Sequence, residues 1–201
     1  MMIASRNGFA VRDLPSGCVR VQYLEGTGTQ YIVTGVSSFP WPYLEIICKV
    51  NGNYNAQYSA GIIGNSNGGS RWQGIAPRNT TSVDFRGYDD ITTITESTTN
   101  DYVRLVFDGP NKIAYAGESS ATLLSGANAG AGYCIWGWYG RMDPIAMSVK
   151  YVKIGTSSTN LLFDAIPVRK NGVGYMYDRV SKTLFGNQGT GTFIIGPDGA
   201  A

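Results

Sequence analysis

Apolar and polar positions alternate with a period of two along most of this chain, in short runs bounded by Gly, Pro, Asn, Asp or Ser. That pattern predicts β-strands with one face turned to a core and one to water. The clearest is 43–50, where Leu44, Ile46, Cys48 and Val50 point one way and Tyr43, Glu45, Ile47 and Lys49 the other. Similar runs predict strands over 18–24, 30–36, 59–64, 71–76, 82–88, 91–95, 102–107, 112–116, 133–138, 147–154, 160–167, 173–178 and 192–195. Alternation through the 133–138 run places Trp136 and Trp138 on one face. Glu25-Gly26-Thr27-Gly28-Thr29 reads as a tight reversal between the first two runs, and Asp108-Gly109-Pro110-Asn111 as the loop of a hairpin. Glu118-Ser119-Ser120-Ala121 and 126–132 read as loops. Between the runs there is no amphipathic helical stretch, so parallel βαβ units are not expected and the sheets should be antiparallel.

Composition sharpens this. The chain has 201 residues with 43% hydrophobic and 15% charged positions, 27 Gly and 13 Tyr. A single all-β sandwich accommodates that length, and the turn-rich, charge-poor content suits it. Neither a charge block nor a Pro-rich linker divides the chain. With no His, the Ser-His-Asp and Cys-His nucleophile systems and all His-ligated metals are excluded. The formal net charge of +2 is not gathered into a basic face, so no nucleic-acid partner is expected. Cys18, Cys48 and Cys134 form no C-x-x-C pair, and two lie in strand-like runs where a thiol acts as a small buried apolar group. Neither a signal-like leader nor eighteen consecutive apolar residues occur, so no membrane insertion is expected. Synthesis in a reducing cytoplasm follows, with any extracellular role reached by lysis, a dedicated machine or a particle.

Leu14-Pro15-Ser16-Gly17, followed by Val21-Gln22-Tyr23-Leu24-Glu25-Gly26-Thr27-Gly28-Thr29-Gln30-Tyr31-Ile32-Val33-Thr34-Gly35, opens the chain in a distinctive way. Phe163-Asp164-Ala165-Ile166-Pro167-Val168, Gly172 to Asp178 and Leu184 to Phe193 close it. Both ends resemble the concanavalin A-like, laminin G-like jelly-roll domains of phage, prophage and gut-bacterial surface proteins. The centre is similar only in style. The resemblance implies a two-sheet antiparallel sandwich over 14–201, after a lead segment 1–13, with the terminal segments adjacent. It departs from the family pattern at Val33, where an Asp is usual, and at Gly26, where a Ser is usual.

Related sandwiches include laminarinase-type glycosidases with an E-x-D-x-x-E strand. Here Glu25, Glu45, Glu96 and Glu118 lie far apart and no such motif can be written. A hydrolase built on unfamiliar carboxylates such as Asp84 and Glu96 would need folding to bring two acids across one groove. Asp89-Asp90 is the one adjacent acidic pair; it suggests a turn and at most a weak Ca²⁺ site, so no cofactor is expected. What remains is aromatic residues flanked by polar ones. Arg71-Trp72-Gln73, Asp84-Phe85-Arg86-Gly87-Tyr88 and Trp138-Tyr139-Gly140-Arg141 are the candidate glycan contacts, since sugars offer apolar C–H faces and a ring of hydroxyls. Trp136 reads as core and Trp41, between two prolines, as a packed loop anchor, while Trp72 and Trp138 fit either core or platform.

The expected function is a non-catalytic carbohydrate-binding or adhesion module, a phage or prophage particle or surface component whose partner is a glycan or cell-surface polysaccharide. The competing reading is an assembly module that binds a phage structural protein or a second copy of itself. A stable monomer in light scattering would count against the latter.

Overall fold

The computed structural model describes residues 14–51, 61–66, 71–88, 90–127, 130, 132–138 and 144–199, with Tyr88 described for its backbone alone. In chain order the strands are β1 (Cys18–Arg20), β2 (Leu24–Thr27), β3 (Ile32–Ser37), β4 (Tyr43–Val50), β5 (Ile63–Ser66), β6 (Trp72–Asn79), β7 (Ser82–Tyr88), β8 (Asp90–Thr95), β9 (Val103–Asp108), β10 (Ile113–Ala116), β11 (Ser119–Thr122), β12 (Gly132–Ile135), β13 (Ala146–Ser157), β14 (Asn160–Lys170), β15 (Val173–Asp178), β16 (Thr183–Phe185) and β17 (Ile194–Ile195). They form two antiparallel sheets. The larger, of eleven strands, runs β11-β10-β9-β4-β13-β14-β15-β16, with β1 on β14 and with β2 joining β13 to β17. The smaller, of six, runs β3-β12-β5-β6-β7-β8. This is the jelly-roll type of β-sandwich, and the expected fold class holds. No helix among the described residues is long and apolar enough to cross a membrane.

The core lies between the sheets and is made by the predicted alternation. Leu44, Ile46, Leu105, Phe107, Val152 and Ile154 from the large sheet meet Ile63, Ile75, Val83, Phe85 and Ile135 from the small one. Cys48 and Cys134 are buried, and burial pushes both thiols up to about 12. They are therefore inert small apolar groups, as the sequence suggested. Trp41 is likewise a loop anchor: its ring lies against Gly126 and packs on the core.

The terminal segments are laced together. β1 pairs with β14, β17 with β2, and Val21 bridges Asp198. Gln30, 2% exposed, is the knot. Its Oε1 accepts from the Thr27 N–H at 2.7 Å, and its Nε2 donates to the Thr190 carbonyl at 3.1 Å. Asn187 Oδ1 and Gln188 Oε1 accept from the N–H groups of Tyr31 and Val33. The end motifs are thus complementary halves of one hydrogen-bonded seam. Gln30→Ala is expected to lower stability by about 2 kcal/mol, the usual penalty of stranding buried partners. Hydrogen exchange should show amides 190–195 losing protection first; unchanged protection there would contradict the assignment.

Three sequence expectations are corrected. The 25–29 stretch does not turn a hairpin: β2 belongs to the large sheet and β3 to the small one, so the chain crosses between layers there. Ser119–Thr122 is a strand, β11, paired with β10 across the Gly117 turn, where φ is +57°. Trp136 and Trp138 do not share a face. Strand β12 ends at Ile135, and Trp136 takes a left-handed φ of +66°, which breaks the alternation. Its indole enters the main core while that of Trp138 packs with Trp72 and Ala76 in a separate cluster.

Candidate functional site

The small sheet's face away from the core carries the residues that the sequence singled out. Along β6 and β7, Ile75, Val83 and Phe85 point inward, so alternation sends Trp72, Ala76, Asp84 and Arg86 to the other side. Register sets Trp72 opposite Tyr88, Gly74 opposite Arg86, Ala76 opposite Asp84, and Asp84 opposite Thr93 of β8. Gly64 sits beside Gly74 and opens a bare backbone track. The Trp138 ring packs directly against Gly64 and Gly61: a Cβ at Gly64 would fall 2.2 Å from Trp138 Cζ3. Only glycine allows this approach.

The two indoles stand 6.3 Å apart at 36°. The Arg86 guanidinium lies 5.2 Å from the centre of the Trp72 ring, a cation–π contact. Arg86 Nη2 donates to Asp84 Oδ2 at 2.9 Å, while Asp84 Oδ1 accepts from Thr93 Oγ1 at 2.8 Å and from Arg78 Nη1 at 3.4 Å. Both oxygens of Asp84 are committed, so this carboxylate orients arginines and is not free for acid–base work. Trp72 is 7% and Trp138 1% exposed. The indoles do converge, but as a closely packed pair and not as an open stacking groove. The Trp138 Nε1–H is buried and finds no acceptor among the described residues.

The other candidates fall differently. Arg71 is exposed beside Trp72. Tyr139, Arg141, Asp89 and the side chain of Tyr88 lie outside the described residues. Asp90 opens β8 across from Gly87, which puts it on the face opposite Arg86. Glu96 lies beside Gly117, remote in its contacts from the Asp84 cluster. Among the described residues no group of three or more His, Cys, Asp or Glu could hold a metal.

One arrangement was missed by sequence reasoning. On the outer face of the large sheet, Glu45 is 3% exposed and gathers four donors. Tyr43 Oη and Arg104 Nε donate at 2.6 Å each, Lys153 Nζ at 3.2 Å, and Tyr151 Oη completes the set. Burial alone would raise the carboxyl; the bonds from Tyr151, Tyr43 and Arg104 and the charge of Lys153 outweigh it and lower the group to about 2. Burial, then the Glu45 carboxylate, pushes both tyrosine hydroxyls well above their ordinary range. A lone Glu inside an apolar strand was the signal. Its partners come from β4, β9 and β13, whose adjacency only the fold reveals.

No protein-family model matches the chain, and no curated protein matches its sequence. A solved structure from Bacteroides ovatus, described provisionally as a carbohydrate-binding protein, is similar in fold with a TM-score of 0.53 and 13% identity. The likeness covers 90% of this chain and 61% of that one, so this chain spans under two thirds of that protein's length. At that identity the likeness is one of fold.

Proposed function

We propose that this chain is a non-catalytic carbohydrate-binding or adhesion module, with its contact face on the outside of the small sheet. The observation that carries the reading is the Trp72–Trp138 pair stacked with Arg86 on a sheet face turned away from the core. Burying two indoles outside the main core makes a rigid platform whose order costs nothing further on binding. A saccharide would seat a C–H face at the Trp72 edge and take a hydrogen bond from exposed Arg71. Such sites are weak singly and gain by repeated display. The description of the Bacteroides ovatus protein as carbohydrate-binding supports the same reading. The end motifs support a setting on a phage or prophage particle or surface, reached after synthesis in the cytoplasm.

A glycan array with the multimerised chain tests this. Trp72→Ala is expected to weaken binding about tenfold, the scale of losing one aromatic stacking contact. Arg71→Ala, at an exposed position, should weaken it severalfold. No binding at millimolar sugar by the multimer would overturn the proposal.

A further inference from the structure

We propose that a second saccharide site, for uncharged sugars, lies in the cleft on the outer face of the large sheet. The cleft holds about 780 Å³, room for a few sugar rings, between the β8–β9 connection and the β10–β11 turn. Arg104 lines it. Its Nε is fixed on buried Glu45 at 2.6 Å, yet 47% of its side chain stays open to solvent. A guanidinium held this way donates to a ligand with little loss of rotamer freedom, unlike an ordinary surface arginine.

The cleft supplies what a neutral sugar needs. Tyr102 and Tyr115 are half-buried in its lining and offer aromatic surface. Tyr102 is steadied by Lys150 Nζ, 3.8 Å from its ring centre, and by Tyr23 at 6.1 Å. Tyr115 Oη makes no hydrogen bond among the described residues. The carboxylates of Glu96 and Glu118 enter no ion pair or hydrogen bond there either, so they remain as acceptors for vicinal hydroxyl pairs. Glu96, Asp101 and Glu118 outnumber Lys150, seated on the Tyr102 ring, and Arg104, whose charge already faces Glu45. The surplus of negative charge disfavours uronates and phosphorylated glycans, leaving uncharged hexoses as the ligand class. This face and the indole pair lie on opposite outer surfaces of the sandwich, so one chain could engage two glycan strands. The inference shares with the proposal above only the choice of saccharide as ligand.

Amide NMR on the whole chain tests it, using cellohexaose, laminarihexaose and mannohexaose at about 10 mM, with a polygalacturonate oligomer as the anionic probe. At least one neutral hexaose should shift the amides around Arg104 and Tyr115, with the polygalacturonate silent. Tyr115→Ala should abolish those shifts, and Glu118→Gln, at an exposed position, should weaken affinity about threefold or more by removing a charged acceptor. Trp72→Ala should leave them unchanged. Shifts confined to the amides around Trp72 and Trp138 would overturn this inference while upholding the first site. Shifts at the cleft alone would do the reverse, and no shifts anywhere, or equal shifts with polygalacturonate at the cleft, would overturn the second site.

Discussion

Trp136→Ala is expected to lower the unfolding free energy by about 3–5 kcal/mol, the range for deleting a buried aromatic side chain. The residue is fully buried and joins both layers. Its backbone N–H donates to the Ile62 carbonyl at 3.1 Å, and its Nε1 donates to the Met147 carbonyl at 2.8 Å in the other sheet. Phe193, near the end of the chain, packs 4.6 Å from its ring. Gly26 makes this possible: a Cβ there would lie 2.7 Å from Trp136 Cδ1. The departure from the usual Ser at position 26 thereby acquires a steric reason. Trp136→Phe keeps a ring but strands the Met147 carbonyl, so a smaller loss of about 1–2 kcal/mol is expected. Urea unfolding reads both; a Trp136→Ala loss below about 1 kcal/mol would mean that the indole is not the staple it appears in the fold.

The second large effect is pH-dependent. Glu45 ionises at about 2 in the folded chain against an ordinary 4.5. A carboxyl with a depressed folded value adds stability above its unfolded value, and that stability is lost as pH falls toward the folded value. The window is therefore pH 4.5 down to about 2. The shift corresponds to about 3 kcal/mol at roughly 1.4 kcal/mol per unit. In urea titrations from pH 7 to 2 the parent should lose this stability progressively. Glu45→Gln should start lower at pH 7 and decline less steeply over the window. Equal slopes in the two proteins would show that the four donors do not favour the charged form.

How far the sequence could be read depended on whether a feature is local. Strand β4 was legible residue by residue because its alternation faces one uniform core. The seam at Gln30 was legible as a pattern, since both halves lie in ordered motifs, although the bonds between them could not be. The pairing of Trp138 with Trp72 was not legible, because the sequence put Trp138 on the face of Trp136 and alternation fails at that single left-handed residue, which no propensity flags. The Glu45 cluster stayed hidden because Arg104 and Lys153 lie 59 and 108 positions away along the chain. Register, not composition, brings them together.

The seam also bears on how this chain acquires its shape. The Gln30 bond to Thr190 spans 160 positions, so the loop it closes is nearly the length of the chain. Contacts of such separation are costly in loop-closure entropy while the chain is open, so this one is expected to form late. Changes at Gln30 should then speed unfolding and leave the refolding rate nearly untouched, whereas changes within the β6–β7 hairpin should slow refolding. The bond between the two ends is a late latch: it governs how long the native state persists, not how quickly it is found.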